Sequence, residues 1–412
     1  MSTTDLYELP TKQDTVLTEE VEVAFDRLRE GAALREVMFP FGGVGWVATR
    51  YDVVKEVLAD PRFSVEATSS LADYPRIRQV ETGPPRPPAF IQYDPPKHTT
   101  KRAVLMRHFS VKRINQFRPR IEAIVESCLD GIIAGGAPAD FAARFTQDVP
   151  VRVLSEYIGA PYDEFPIFLE AAHYLGNAYA KTAEDSQRAI SIVNDYFAGL
   201  ADRKRTQPGD DLLSWMVNDP DVAAAWTEDE LRGVGFVMLS AGHSATSSIL
   251  GGILEWMVHD PEVYRRVRSE PNRVPVFLEE FLRLLPAGLA GTRTRIALED
   301  VQIGDVLVRK GEGVLPIVHA ANFDETAYAA AAVLDLDRQL TRPHVAFGYG
   351  PHACVGLQLA RVEITVAIQA IVRRFASMAP AEPDPDWKSK RLLRGPKRLM
   401  ATWEPAEPES AR

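Results

Sequence analysis

Residues 347–356 read Phe347-Gly348-Tyr349-Gly350-Pro351-His352-Ala353-Cys354-Val355-Gly356, a cysteine among glycines directly ahead of a helical pattern over Leu357–Phe375. The chain's other cysteine, Cys128, falls on a helical apolar stripe with Ile121, Ile124, Val125 and Leu129, and reads as a small buried apolar residue. Cys354 has a different setting. Thiolate is the ligand form of cysteine, and backbone N–H groups at a helix N-terminus favour that anion. Glycine lets the backbone approach a flat ligand without Cβ clashes. The segment therefore suits a haem iron held by a thiolate.

These ten residues resemble the haem-binding signature of the cytochrome P450 family, in which Phe, two Gly, His or Arg, Cys and Gly stand at the same spacings. The resemblance implies haem b (iron-protoporphyrin IX) with Cys354 as the metal ligand, and Phe347, Gly348, His352 and Gly356 beside the cofactor. It extends over nearly the whole chain. Glu280-Phe281-Leu282-Arg283 matches the family's E-x-x-R, whose i,i+3 spacing puts both charges on one helix face. Alone, such a pair reads as a solvated surface ion pair. In the family it joins an arginine upstream of the cysteine, matched here by Asp337-Arg338, so Glu280, Arg283 and Arg338 are expected to form a structural triad bracing the cysteine loop. Asp94-Pro95-Pro96-Lys97-His98-Thr99-Thr100-Lys101-Arg102 is similar to the family's D-P-P-x-H-x-x-x-R, with His98 and Arg102 one helical turn apart. Thr294–Asp300 matches the strand that supplies Arg295. Haem propionates are anions that need such donors when buried. His98, Arg102, Arg295 and His352 are thus the expected cofactor-binding donors.

A long helical pattern over Thr227–His259 carries Ala241-Gly242-His243-Ser244-Ala245-Thr246. Family members usually have an acid and then an alcohol here, which relay protons toward dioxygen as general acids. In that register this chain has Ser244 for the acid and Ala245 for the alcohol, with Thr246 kept. Serine supplies no carboxylate, though its hydroxyl can hold a water. Two outcomes stay open. Ser244, His243 or Thr246 organises water for ordinary oxygenation, or the reaction leans on substrate groups or on oxidation without oxygen insertion. Substitutions at this pair occur in family members that couple or dehydrogenate aromatic substrates, some of them cyclic dipeptides. The resemblance therefore implies oxidation of a small aromatic natural product, through C–C or C–N coupling of cyclic dipeptides. The alternative is hydroxylation or epoxidation of a secondary metabolite, and a haem protein that only binds a ligand is a third class.

By family position the substrate contacts are Phe90 and Ile91, Val237, Met238 and Ala241 with Ala245 on the long helix, Leu289 and Ala290, and Leu399 and Met400. Most are apolar and would equally suit core packing. Electrons are expected from a ferredoxin and ferredoxin reductase. Arg107, Lys112, Arg113 and Arg361 are candidate docking charges, although exposed arginines often only solvate.

The rest of the chain is consistent with this. Its 412 residues are 46% hydrophobic and 25% charged, ordinary for a globular protein and incompatible with wholesale disorder. A net charge of −10 argues against general nucleic-acid binding, which rests on neutralising phosphates. Two cysteines are too few for a disulfide framework, and a reducing cytoplasm is the simplest setting. The absence of about 18 uninterrupted apolar residues argues against a membrane span, and residues 1–13 do not read as a signal peptide. Helical patterns dominate, with strand signals at Thr292–Ile296, Val301–Ile303, Val306–Val308 and Gly313–Pro316. Five glycines in Thr227–His259, each costing about 1 kcal/mol against alanine, suggest a bulky neighbour or a local distortion. The expected fold is mainly α with a small β region, a triangular prism around a long central helix. A single domain over 1–412, flexible over 1–15, is expected to act as a monomer.

Overall fold

The computed structural model describes residues 7–8, 25–39, 43–69, 71, 74–75, 88–167, 183–285, 293–383, 386–387 and 395–407. Helices dominate and the strands are short, the mainly α class with a small β region that the sequence predicts. The longest helix, Glu228–His259, runs through the main core. It starts at Thr227, whose hydroxyl accepts the Glu230 N–H (3.2 Å) while Glu230 Oε2 accepts the Thr227 N–H (3.0 Å). This is the reciprocal cap that the Thr-x-x-Glu spacing predicts. Lys101 Nζ donates to the same carboxylate at 2.6 Å and ties the helix start to the helix Lys97–His108. By length and composition the central helix could cross a membrane, but 65% of its most apolar window is buried inside the molecule, the position of a core helix.

Close neighbours account for glycines in this helix. An added Cβ would lie 2.4 Å from the Phe197 ring at Gly235, 3.0 Å from Leu154 at Gly242 and 2.9 Å from Leu285 at Gly252. The helix stays α throughout, so of the two readings the bulky neighbour holds. Around it, Leu357–Arg374 packs on Val111–Gly135 and on Val274–Leu284. This packing brings the segment after Cys354 against the helix that carries Glu280.

Six strands form the main sheet, in the order Tyr7–Glu8, Arg35–Met38, Val44–Ala48, Gly313–Pro316, Arg295–Ala297, Phe63–Ser64. Val44–Ala48 and Gly313–Pro316 are parallel, with antiparallel neighbours on both sides. Arg295 opposes Val314 in this sheet, so the sheet fixes where its side chain starts. A second core joins strand residues Ala48, Phe63, Ala297 and Val314 to Tyr51, Val54 and Val57 of the helix Tyr51–Ala59.

Several boundaries differ from the sequence reading. The strand expected at Thr292–Ile296 is Arg295–Ala297. The strand-like stretch over 38–50 is one strand of a pair, Arg35–Met38 and Val44–Ala48, that reverses near Gly43 with φ +77°. Apart from Tyr7 and Glu8, the 1–15 segment lies outside the described residues, as do Leu289, Ala290 and Leu392.

Candidate functional site

Cys354 sits between the turn Gly350–His352 and the helix Leu357–Arg374. Its N–H donates to Phe347 O at 2.8 Å and closes the loop, while Gly348 N–H donates to Val345 O at 2.8 Å. Gly350 has φ +72°, and a Cβ there would lie 2.7 Å from Leu58 O, so glycine is required on both counts. The sulfur is accessible although protein surrounds it. Enclosure pushes the thiol pKa up, while the Gly356 N–H, Arg102 and Arg361 act against that.

Four basic side chains converge nearby. His98 and Arg102 come from the helix Lys97–His108, Arg295 from the main sheet and His352 from the turn before Cys354. The His98 and His352 rings lie 4.0 Å apart, and Phe90 stacks on His98 at 6.1 Å. Both ring nitrogens of His98 are buried without a hydrogen-bond partner. Burial lowers the His352 pKa to about 3, and His98, Arg295, Arg293 and Arg102 all add to the effect. Burial and then Arg293 take Arg295 down to about 10. Buried positive charge with unpartnered ring nitrogens calls for an anion.

On the helix Val274–Leu284, Glu280 and Arg283 are almost fully buried, at 2% and 0% exposure. Arg283 donates to both Glu280 oxygens (2.9 and 2.8 Å), and Arg338 Nε donates to Glu280 Oε1 at 2.9 Å. The guanidinium of Arg283 also reaches Asn322 O (2.9 Å) and Ala331 O (2.5 Å). Burial acts to raise the Glu280 pKa, but Arg283 and Arg338 outweigh it and the net direction is down.

On the central helix Ala241 is exposed, His243, Ser244 and Ala245 are partly exposed, and Thr246 is buried. Thr246 Oγ1 donates to Gly242 O at 2.8 Å, so its proton is committed to the helix. His243 packs edge-on against Phe165 at 5.5 Å.

A family model described as cytochrome P450 matches residues 151–403. Nocardicin C N-oxygenase from Nocardia uniformis subsp. tsuyamanensis is 37% identical over 91% of this chain and 93% of that protein. The chain is a cytochrome P450. Mycinamicin IV hydroxylase/epoxidase from Micromonospora griseorubida is 33% identical over 92% of this chain and 94% of its own length. A solved cytochrome P450 with biaryl coupling reactivity superposes with a TM-score of 0.85 at 31% identity, covering 97% of this chain and 98% of that one. Membership makes haem iron the cofactor and P450-type oxidation the activity class.

As a P450 the chain still distributes its candidates unevenly. Phe90 and Leu399 are 1% exposed and Met238 9%, all within the main core, whereas Ile91, Val237 and Met400 are half-buried. The four docking candidates also divide. Arg113 is paired with Asp210 (2.6 Å) and Arg361 with Glu279 (2.7 Å), while Arg107 and Lys112 are exposed. An internally neutralised guanidinium offers less charge to a partner, so Arg113 and Arg361 are weaker docking groups than their sequence positions suggest.

Sequence reasoning missed one set. Glu279, next to the E-x-x-R glutamate, accepts from Arg361 and contacts His344 Nε2 at 3.1 Å. The available signal was position: Glu279 and Glu280 are adjacent and so point to different flanks of one helix, and His344 stands three residues before Phe347.

Proposed function

We propose that this P450 is a monooxygenase tailoring a small aromatic secondary metabolite. It binds haem b through Cys354 and is supplied with single electrons by a ferredoxin and its reductase. The donor set supports the cofactor: an accessible sulfur, and near it His98 with two unpartnered ring nitrogens amid Arg102, Arg295 and His352. Those four would hold the propionates, and Phe347, Gly348 and Gly356 would border the macrocycle. Glu280, Arg283 and Arg338 would keep the loop in place. When bound, haem iron supplies the reductive activation of dioxygen, which consumes protons.

The relatives carry the reaction type, and the central helix bears on how protons would reach the site. That helix has no acidic residue from Gly233 to Leu254, and the Thr246 proton is held by Gly242 O. Ser244 would then hold a proton-delivering water, with His243 and Thr246 as further contacts for it. Ala245 leaves room there and contributes no proton. The relatives named for N-oxygenation and for hydroxylation or epoxidation support oxygen insertion. Neither is named for a cyclic dipeptide, so the substrate class proposed is the broader one. A second reading, oxidative coupling, is favoured by the small side chains at Ala241 and Ala245 and by the neighbour with biaryl coupling reactivity. Two aromatic rings held at contact distance would gain from proximity. The protein would work as a cytoplasmic single-domain monomer. Arg107 and Lys112 would be the charges offered to an acidic ferredoxin.

Turnover under ¹⁸O2 with a surrogate ferredoxin system tests the reading. The expected product carries one labelled oxygen, and an unlabelled product with two rings joined would replace insertion by coupling. The double variant Ser244→Asp/Ala245→Thr installs an acid and an alcohol. It is expected to raise product per electron pair severalfold and to lower the share ending as peroxide, since a placed general acid is worth about 10²–10⁴-fold. Unchanged coupling efficiency would mean that proton supply does not limit this site.

A further inference from the structure

Glu279 gathers two donors around one ring. Arg361 grips it with both arms of its fork, Nε to Oε1 at 2.7 Å and Nη2 to Oε2 at 2.8 Å. The Ala346 N–H donates to His344 Nδ1 at 3.1 Å, so the proton of a neutral His344 is on Nε2, which donates to Glu279 Oε2 at 3.1 Å. Both donors flank Phe347. The Arg361 guanidinium lies 4.7 Å from the centre of the ring, and the His344 ring is 6.0 Å away at 42°. Phe347 in turn accepts the Cys354 N–H on its carbonyl at 2.8 Å. Val345, between His344 and Phe347, is tied by its N–H to Asn322 Oδ1 at 2.9 Å.

We propose that Glu279 is a positioning residue for the Cys354 sulfur: through Arg361 and His344 it clamps the Phe347 ring, and the Phe347 carbonyl fixes the Cys354 backbone. This rests on Cys354 being the haem ligand. Glu279 and its neighbour Glu280 then hold different segments: Glu279 reaches the cysteine loop through the Phe347 ring, and Glu280 holds Arg283 and Arg338 on the carbonyls of Asn322, Ala331 and Val333. Bidentate, charge-assisted contacts define orientation more tightly than single neutral ones. An arginine over an aromatic face adds to that hold without a covalent link. Burial acts to raise the Glu279 pKa, but Arg361 and His344 outweigh it and lower it to about 2, so the clamp is charged at neutral pH.

The test follows the thiolate band of the reduced carbon monoxide complex in haem-loaded protein and times its decay to the short-wavelength form. Glu279→Gln should lose the band about tenfold faster than wild type, the scale of a charge-assisted hydrogen bond. In a Phe347→Leu background the same substitution should change the rate by about twofold or less, because the ring through which it acts is gone. Equal decay in Glu279→Gln and wild type would overturn the proposal. So would the same acceleration in both backgrounds, which would mark Glu279 as a general stabiliser. If Glu279→Gln does not retain haem, Arg361→Lys runs the same cycle. It keeps the charge but lacks the fork, and decay at the wild-type rate would again overturn the clamp. A wild-type protein without the thiolate band would refute the ligand assignment itself, and the clamp with it.

Discussion

Cys354→Ala is expected to abolish the thiolate band of the reduced carbon monoxide complex completely, while the backbone of the loop survives. The N–H of residue 354 that donates to Phe347 O does not depend on the side chain, and Gly348 N–H still closes on Val345 O. What disappears is the soft anionic donor, whose electron density sets the absorption of the haem carbonyl and its potential. The surroundings are built for that anion. The Gly356 N–H, Arg102 and Arg361 oppose the upward push that enclosure gives the thiol, and an iron bond removes the proton altogether. In the alanine variant those donors face a methyl group. The buried Cys128 cannot substitute. Burial and then Asp148 raise its thiol pKa to about 12, and it sits in the main core with Leu129 and Ile132. A Cys354→Ala protein that retained the wild-type Soret band in its reduced carbonyl form would show the axial assignment to be wrong.

The site was legible where its chemistry is local in sequence. Ten consecutive residues hold the cysteine, the positive-φ glycines and the helix start, so the loop could be read directly. The E-x-x-R pair was readable as spacing, but its burial followed only from the family resemblance. The same four letters on an exposed face would be a surface ion pair, and only the packing of Leu357–Arg374 on Val274–Leu284 puts Glu280 and Arg283 inside. The four basic groups, His98, Arg102, Arg295 and His352, come from a helix, a sheet and a turn separated by up to 254 positions, so spacing alone could not gather them. Arg361 was read as a candidate docking charge from its position in the family resemblance. Its tie to Glu279, 82 positions away, is a tertiary contact invisible to local pattern. Strand ends slipped for a related reason: Arg295–Ala297 is set by pairing with Gly313 and Val314 and with Phe63 and Ser64, partners that a run of β-branched residues does not specify.

Glu280→Ala should destabilise the fold and empty it of haem more severely than any surface substitution. Its carboxylate is the only acid bonded to Arg283 among the described residues, and it takes donors from Arg283, Arg338 and the Asp335 N–H (3.2 Å). Removing it leaves one guanidinium at 0% exposure and a second at 11% with no counter-charge. Breaking a buried pair in this way costs about 3–5 kcal/mol, a large part of the roughly 5–15 kcal/mol that holds a folded protein. With about 2.1 cal/mol/K of unfolding entropy per residue, a chain of this length should melt about 3–6 °C lower. Arg338 can swing toward water, but Arg283 cannot. Its other donors satisfy Asn322 O and Ala331 O, so Arg283→Ala orphans those carbonyls and leaves the buried Glu280 carboxylate with only Arg338 and the Asp335 N–H. The two variants should therefore fail together, while Arg338→Ala is milder. The pH dependence has a definite sign. The folded Glu280 pKa lies below its ordinary value, so its contribution is fully present above the unfolded glutamate pKa and is lost as pH falls through the folded one. The gap in melting temperature between wild type and Glu280→Ala should accordingly be widest near neutrality and narrow in acid. Wild-type haem content and an unchanged melting temperature in both Glu280→Ala and Arg283→Ala would remove this pair from any structural role.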